Sequence, residues 1–175
     1  MEQQQPRNFP RKIMYSLFKD IRGAFENVGE KHKELFFEEF QKVLREEGMD
    51  LTKNVKVLEV GSGNAAFLDF LRKKGVNVVG IDAEPRGTKD SPQIIGRIEQ
   101  LPFREESFDV VLSTLVFDSG IYHQDQDFMI REIARVLKHG GVYLGQETSN
   151  IHASLEGFNK ISYKSPMFLQ GYKKS

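Results

Sequence analysis

Two kinds of hydrophobic spacing alternate along the chain, and each change from one to the other marks a new element. From Ile13 to Val28 the apolar positions Ile13, Met14, Leu17, Phe18, Ile21, Phe25 and Val28 recur three or four residues apart, which is the spacing of one helix face. A second stripe, Leu35, Phe36, Phe37, Phe40, Val43 and Leu44, runs on to Gly48. Two N-terminal helices are therefore expected over 11–48, with their aromatics in the core or forming part of a lid. At Val55 the pattern contracts to Val55, Val57, Leu58 and Val60, a β-branched run typical of a strand buried on both faces. Gly61 and Gly63 follow, where the backbone can take positive φ and approach a ligand closely. Asn64 then offers an N-cap for an amphipathic helix starting at Ala65.

The alternation continues downstream. Gly75–Asp82 reads as a second buried strand ending on an acid, Ile94-Ile95 as a short third and Phe108–Ser113 as a fourth. The segment Ala83–Gln93 holds Pro85, Pro92 and Gly87 without helical spacing, so no crossover helix is expected there. Asp125–Lys138 reads as a helix with acids at its start and Lys138-His139 at its end, stopped by Gly140-Gly141 before a fifth strand, Val142–Gly145. Strands alternating with helices imply an α/β, Rossmann-like, mostly parallel sheet. Gly157–Tyr163 and Met167–Tyr172, joined across Ser165-Pro166, read as an antiparallel hairpin at one sheet edge. The expected organisation is a disordered polar tail over 1–10 and one domain over 11–175. Within that domain lie the N-terminal helices (11–48), a ligand-binding core (55–146) and the edge hairpin (157–174).

Composition narrows the function classes. Lys+Arg and Asp+Glu both number 25, so no overall field draws the protein to nucleic acid or to an anionic membrane. The absence of cysteine excludes a disulfide framework, a thiol nucleophile and Cys-ligated metal. His32, His139 and His152 show no ligand spacing, so no metal is expected. Met1–Pro10 lacks a signal-peptide core and no apolar run reaches the ~18 residues of a membrane span. A cytoplasmic protein is expected.

In open α/β sheets ligands bind beyond the carboxyl ends of the strands, where strand order reverses. Three loops converge there: Gly61–Asn64, Asp82–Glu84 and Ser113–Phe117. Asp82 lies 21 residues after Gly61, the spacing at which a carboxylate meets the ribose hydroxyls of a nucleotide. Gly61-Ser62-Gly63-Asn64-Ala65-Ala66 formally satisfies the dinucleotide-binding pattern. Glu59 opposes that reading, since a carboxylate facing a pyrophosphate at ~4 Å is repelled by about 4 kcal/mol per charge pair at intermediate dielectric. A ligand carrying an ammonium and a sulfonium would favour the same acid. S-adenosylmethionine is such a ligand, with an adenosine for Asp82 to hold.

Several stretches together carry a family resemblance. Val57-Leu58-Glu59-Val60-Gly61-Ser62-Gly63 and Val79-Gly80-Ile81-Asp82 resemble the first two motifs of the class I S-adenosylmethionine-dependent methyltransferases, of the methyltransferase type 11 kind. Ile98-Glu99-Gln100-Leu101-Pro102-Phe103 and Ser107-Phe108-Asp109-Val110-Val111 are similar to the next two landmarks. Arg131 to Gly141 resembles the helix and turn before the family's fifth strand. The resemblance implies that Gly61, Ser62 and Gly63 lie against the methionine part and that Glu59 binds its ammonium, directly or through water. Asp82 would hold the ribose and Ala83 flank the adenine. Ile98 would contact the adenine with its backbone N–H and side chain, and carbonyls from Ser113 to Leu115 would face the amino-acid end. Arg97 stands where the family usually carries an acid toward the adenine amino group, with Glu99 as a substitute.

The activity implied is methyl transfer to an oxygen, nitrogen or carbon acceptor, a small molecule rather than nucleic acid. The acceptor site would be built from the N-terminal helices and the loop Phe117–Asp125. If the acceptor must lose a proton, the base candidates are His123, Tyr122 and Asp118, with His123 first because its unperturbed pKa of ~6.5 suits neutral pH. A homo-oligomer would complete the open crevice. Two alternatives use the same residues: a methyltransferase-like binding module or partner subunit with weak catalysis, and an NAD(P)-binding oxidoreductase, which Glu59 opposes.

Overall fold

Helix α1 (Glu30–Glu46) is the first element described in the computed structural model, which describes residues 29–87, 90–91, 93–117, 126–147, 156–162 and 169–175. The expected tail over 1–10 and helix over Ile13–Val28 lie outside the described residues. α1 buries Phe36, Phe40, Val43 and Leu44 and is followed by Gly48 at φ 78°, a left-handed position that suits glycine. Its phenylalanines are core. Phe36 and Phe40 meet Phe67 at ring-centroid distances of 6.2 and 6.0 Å, and Phe37 meets Phe70 at 6.1 Å. Both partners belong to helix α2 (Ala66–Lys73).

The sheet comprises β1 (Lys56–Val60), β2 (Asn77–Asp82), β3 (Ile94–Ile95), β4 (Phe108–Thr114), β5 (Leu137–Gln146), β6 (Phe158–Lys160) and β7 (Leu169–Lys174). Their order across the sheet is β3-β2-β1-β4-β5-β7-β6. The first five pair in parallel, β7 runs antiparallel to β5, and β6 antiparallel to β7. This is the expected mostly parallel sheet with an edge hairpin; β6 is shorter than the expected Gly157–Tyr163, and β7 runs on to Lys174, past the expected end at Tyr172. Order reverses between β1 and β4, which puts the crevice beyond Val60. No helix joins β2 to β3 among the described residues, and Ile95 on that edge is 75% exposed.

One sheet face packs Val57, Val110, Leu112, Val142 and Leu144 against α1 and α2. The other packs Leu58, Val60, Val111 and Tyr143 against helix α3 (Gln126–Val136), through Met129, Ile130, Ile133 and Val136. Glu132 and Arg135 tie α3 to the loop before β4. Arg135 donates to the carbonyls of Phe103 (2.8 Å) and Leu101 (2.9 Å), while Glu132 accepts from the Leu101 N–H (2.7 Å) and pairs with Arg135 (2.7 Å). The ion pair thus reads the backbone of the loop before β4.

α3 corrects one expectation. It ends at Val136, and the chain enters β5 at once, rather than continuing to Lys138. Leu137 is fully buried opposite Phe108, and Lys138 reaches Asp109 on β4 at 2.7 Å. Asp109 also accepts from the Lys56 N–H at 2.8 Å. These cross-strand partners outweigh the local helical pattern. Gly140, at φ 74°, therefore lies inside the longer strand, near a register shift between Phe108 and Val110, and does not stop a helix.

Candidate functional site

The turn after β1 has the conformation that its glycines permit. Gly61 and Gly63 take φ of 68° and 52°. A Cβ on Gly61 would stand 2.4 Å from Val116 Cγ2, so the loop after β4 sits directly against this turn. Gly80, beside Glu59 in register, leaves room for the turn and α2: a Cβ there would meet Leu68 at 2.5 Å and the Ser62 hydroxyl at 2.9 Å. Asn64 is not the N-cap. Ala65 takes that position at φ 64°, and Asn64 serves from one residue further back, accepting from the Ala66 N–H at 3.0 Å. The short Asx turn replaces the expected cap without changing its purpose, which is to occupy a free helix-end donor.

Asp82 is buried at the end of β2, and its carboxylate braces the turn. One oxygen accepts from the Gly63 N–H and the other from the Glu84 N–H, both at 2.8 Å. A carboxylate accepts up to about four hydrogen bonds, so this bracing is compatible with holding a ligand hydroxyl. Gln93 completes the lacing. Its amide donates to Ser62 Oγ (2.6 Å) and the Gly63 carbonyl (3.0 Å), and accepts from the Gly87 N–H (2.8 Å). Nothing in the proline-broken stretch around Gln93 signals this role.

Glu59 lies below the turn with only 4% of its surface exposed, and its Oε2 has no hydrogen-bond partner among the described residues. Burial pushes its carboxyl up from the ordinary 4.5 to about 8; the nearby Arg72 works against the shift, and Asp69 and Asp82 add to it. An uncompensated buried acid is costly. A cation arriving from the crevice would relieve that cost.

The wall beyond β4 is built on a second buried acid, Glu147, which the sequence reading overlooked. Its Oε1 accepts from Ser113 Oγ at 2.7 Å and from the Val116 N–H at 3.4 Å, and its Oε2 accepts from the Phe117 N–H at 3.0 Å. Ser113 also shares a 2.8 Å hydrogen bond with the Tyr143 hydroxyl. Leu115 is held at φ 54°, its N–H donating to the Gln146 carbonyl at 2.9 Å.

The remaining expected residues are spread around this centre. Ala83 is exposed beside Asp82, and Ile98 is half-buried against the core. Arg97 points its guanidinium to Glu99 at 2.9 Å, which occupies the acid expected to substitute for it. Asp118, Tyr122 and His123 lie outside the described residues. Among the described residues no group of His, Asp and Glu could hold a metal ion, and no helix is long and apolar enough to cross a membrane.

Comparison with known proteins places this crevice in context. Residues 58–145 match the family model for a methyltransferase domain. An uncharacterised methyltransferase from Synechocystis is 33% identical over 104 residues, covering 55% of this chain and 49% of that protein. A crystal structure from Galdieria sulphuraria, provisionally named a sarcosine dimethylglycine methyltransferase, is similar at a TM-score of 0.53 and 25% identity, over 67% of this chain and 46% of that one. A protein from Pyrococcus horikoshii shares the fold along most of its length, with a TM-score of 0.59 at 18% identity over 86% of this chain and 93% of that one. The chain spans about half the length of the first curated relatives it matches.

Proposed function

The chain belongs to the methyltransferase-domain family, and we propose that it binds S-adenosylmethionine in the crevice beyond β1, β2 and β4 and directs its methyl group to an acceptor. The observation that carries this reading is Glu59: a buried carboxylate under a diglycine turn, with an oxygen that no group among the described residues satisfies. An ammonium over this turn would favour the ionised carboxylate and be held by it, whereas a diphosphate there would disfavour its ionisation and gain nothing from it. When bound, the cofactor supplies an electrophilic methyl on a sulfonium and leaves as a neutral thioether.

The work of the protein is then mainly alignment. In this reading Glu59 takes the ammonium, directly or through water, and Gly61, Ser62 and Gly63 let the backbone close on the methionine part. Asp82 receives the ribose hydroxyls while keeping the turn in shape. Ala83 and Ile98 flank the adenine, and the carbonyls of Ser113 to Leu115 face the amino-acid end. Holding donor and acceptor in line contributes up to ~7–11 kcal/mol to lowering the barrier. A base is needed only where the acceptor loses a proton; we assign that task to the 118–125 segment, to His123 first and then Tyr122 or Asp118. A small-molecule acceptor fits the balanced charge of the chain best.

A thermal-shift titration tests the reading. S-adenosylmethionine or S-adenosylhomocysteine at ~100 times its dissociation constant should stabilise the fold by ~2.7 kcal/mol, with NAD(P) inert. Stabilisation by NAD(P) alone would overturn it.

A further inference from the structure

We propose that Glu147 is a positioning residue: it holds the loop after β4 in a left-handed bend seated on the glycine turn, and thereby sets where the amino-acid end of the cofactor rests. The inference depends on the cofactor reading above but concerns a residue that the cofactor need not touch.

Three donors from β4 and its loop, on Ser113, Val116 and Phe117, converge on this one carboxylate at the end of β5. Glu147 is 1% exposed, so the group has been withdrawn from water for this purpose. Between those donors sits Leu115, a buried residue at φ 54°. That conformation is disfavoured for a residue with a bulky side chain and persists only where its surroundings enforce it. Here the enforcement comes from both sides of the bend. The Leu115 N–H is taken by the Gln146 carbonyl, and the next two N–H groups by the Glu147 side chain. The bend in turn puts Val116 against Gly61, at a separation that leaves no space for a Cβ. Glu147 thus acts through Val116 on the turn that the ligand must meet.

A plain brace between β4 and β5 would not need a strained leucine. Serine or a backbone carbonyl could close such a gap. A carboxylate is the side chain that accepts several donors at once without offering one of its own, and two of its three donors, the Val116 and Phe117 N–H groups, lie in the bend that touches Gly61.

The test is calorimetric titration of the full chain with S-adenosylhomocysteine, read beside the melting temperature. Glu147→Gln offers a single acceptor oxygen, so at least one loop N–H loses its partner; the dissociation constant should rise about tenfold. Adding Leu115→Gly, which removes the conformational cost of the bend, should restore part of the affinity. A dissociation constant for Glu147→Gln within about twofold of wild type, whatever its melting temperature, would overturn the proposal. Should that variant fail to fold, Val116→Ala keeps the bend's hydrogen bonds but loosens the contact with Gly61, and unchanged affinity there would also overturn it. If the unaltered chain does not bind the ligand at all, the cofactor reading falls and this inference with it; normal binding by the wild type with unchanged binding by the variants refutes the inference alone.

Discussion

The buried Glu59 makes a prediction that separates its chemistry from that of an ordinary surface acid. Its carboxyl is raised from 4.5 to about 8, chiefly by burial. Below pH 4.5 both folded and unfolded chains hold the proton, and the contribution to stability is at its maximum. Between 4.5 and 8 the unfolded chain has lost the proton and the folded chain keeps it, so stability falls with rising pH by ~1.4 kcal/mol per pH unit and by roughly 5 kcal/mol across the window. Glu59→Gln should remove this slope in urea denaturation curves collected between pH 5 and 9. Binding should show the opposite trend. A ligand ammonium favours ionised Glu59, whose fraction in the free protein grows about tenfold per pH unit well below 8, so S-adenosylhomocysteine affinity should climb about 50-fold from pH 6 to 8. Above pH 8 Glu59 in the free protein is itself mostly ionised and the rise levels off. Calorimetry at pH 7 in buffers of different ionisation enthalpy should register about one proton released per ligand bound. Glu59→Gln should match wild type near pH 6 and fall behind as the pH rises. Affinity that is flat or declining from pH 6 to 8, with no buffer dependence, would refute the reasoning.

Other substitutions probe the rest of the framework. Gly61→Ala places a Cβ 2.4 Å from Val116 on a residue at φ 68°; it should destabilise the fold by at least ~1–2 kcal/mol and abolish S-adenosylhomocysteine binding in the same calorimetric assay. Asp82→Ala should remove binding and also cost ~1–3 kcal/mol in denaturant, because the Gly63 and Glu84 N–H groups lose their acceptor. A binding loss with no change in stability would mean that the turn holds its shape without Asp82. Arg135→Ala should cost ~1.5–3 kcal/mol by freeing the loop at Leu101 and Phe103, and hydrogen exchange should locate the loss of protection in that loop.

Much of the sheet could be read from the chain because its strands are short β-branched runs and its helices carry clean apolar faces. Parallel strands with both faces covered write their burial directly into the sequence. Where the reading slipped, a distant partner decided the outcome. Leu137 and Lys138 look helical until Phe108 and Asp109 are brought alongside them. The turn residues Glu59, Gly61, Gly63 and Asp82 could be picked out by spacing, whereas Gln93 and Glu147 could not. Gln93 works on Ser62, 31 positions away, and Glu147 on Ser113, 34 away, so no local pattern marks either. Asp82 shows a subtler limit: the spacing finds the acid, but not that the backbone already occupies it. The three proposed base residues fall outside the described part of the chain.

That double use of Asp82 has a thermodynamic corollary. The group that would greet the ribose is the same one that shapes the Gly63 bend, so the receptor is already set before any ligand arrives. The ordering cost is met during folding rather than on association, and little backbone rearrangement should accompany binding. The heat-capacity change on association should accordingly reflect desolvation of the crevice and not the folding of a loop.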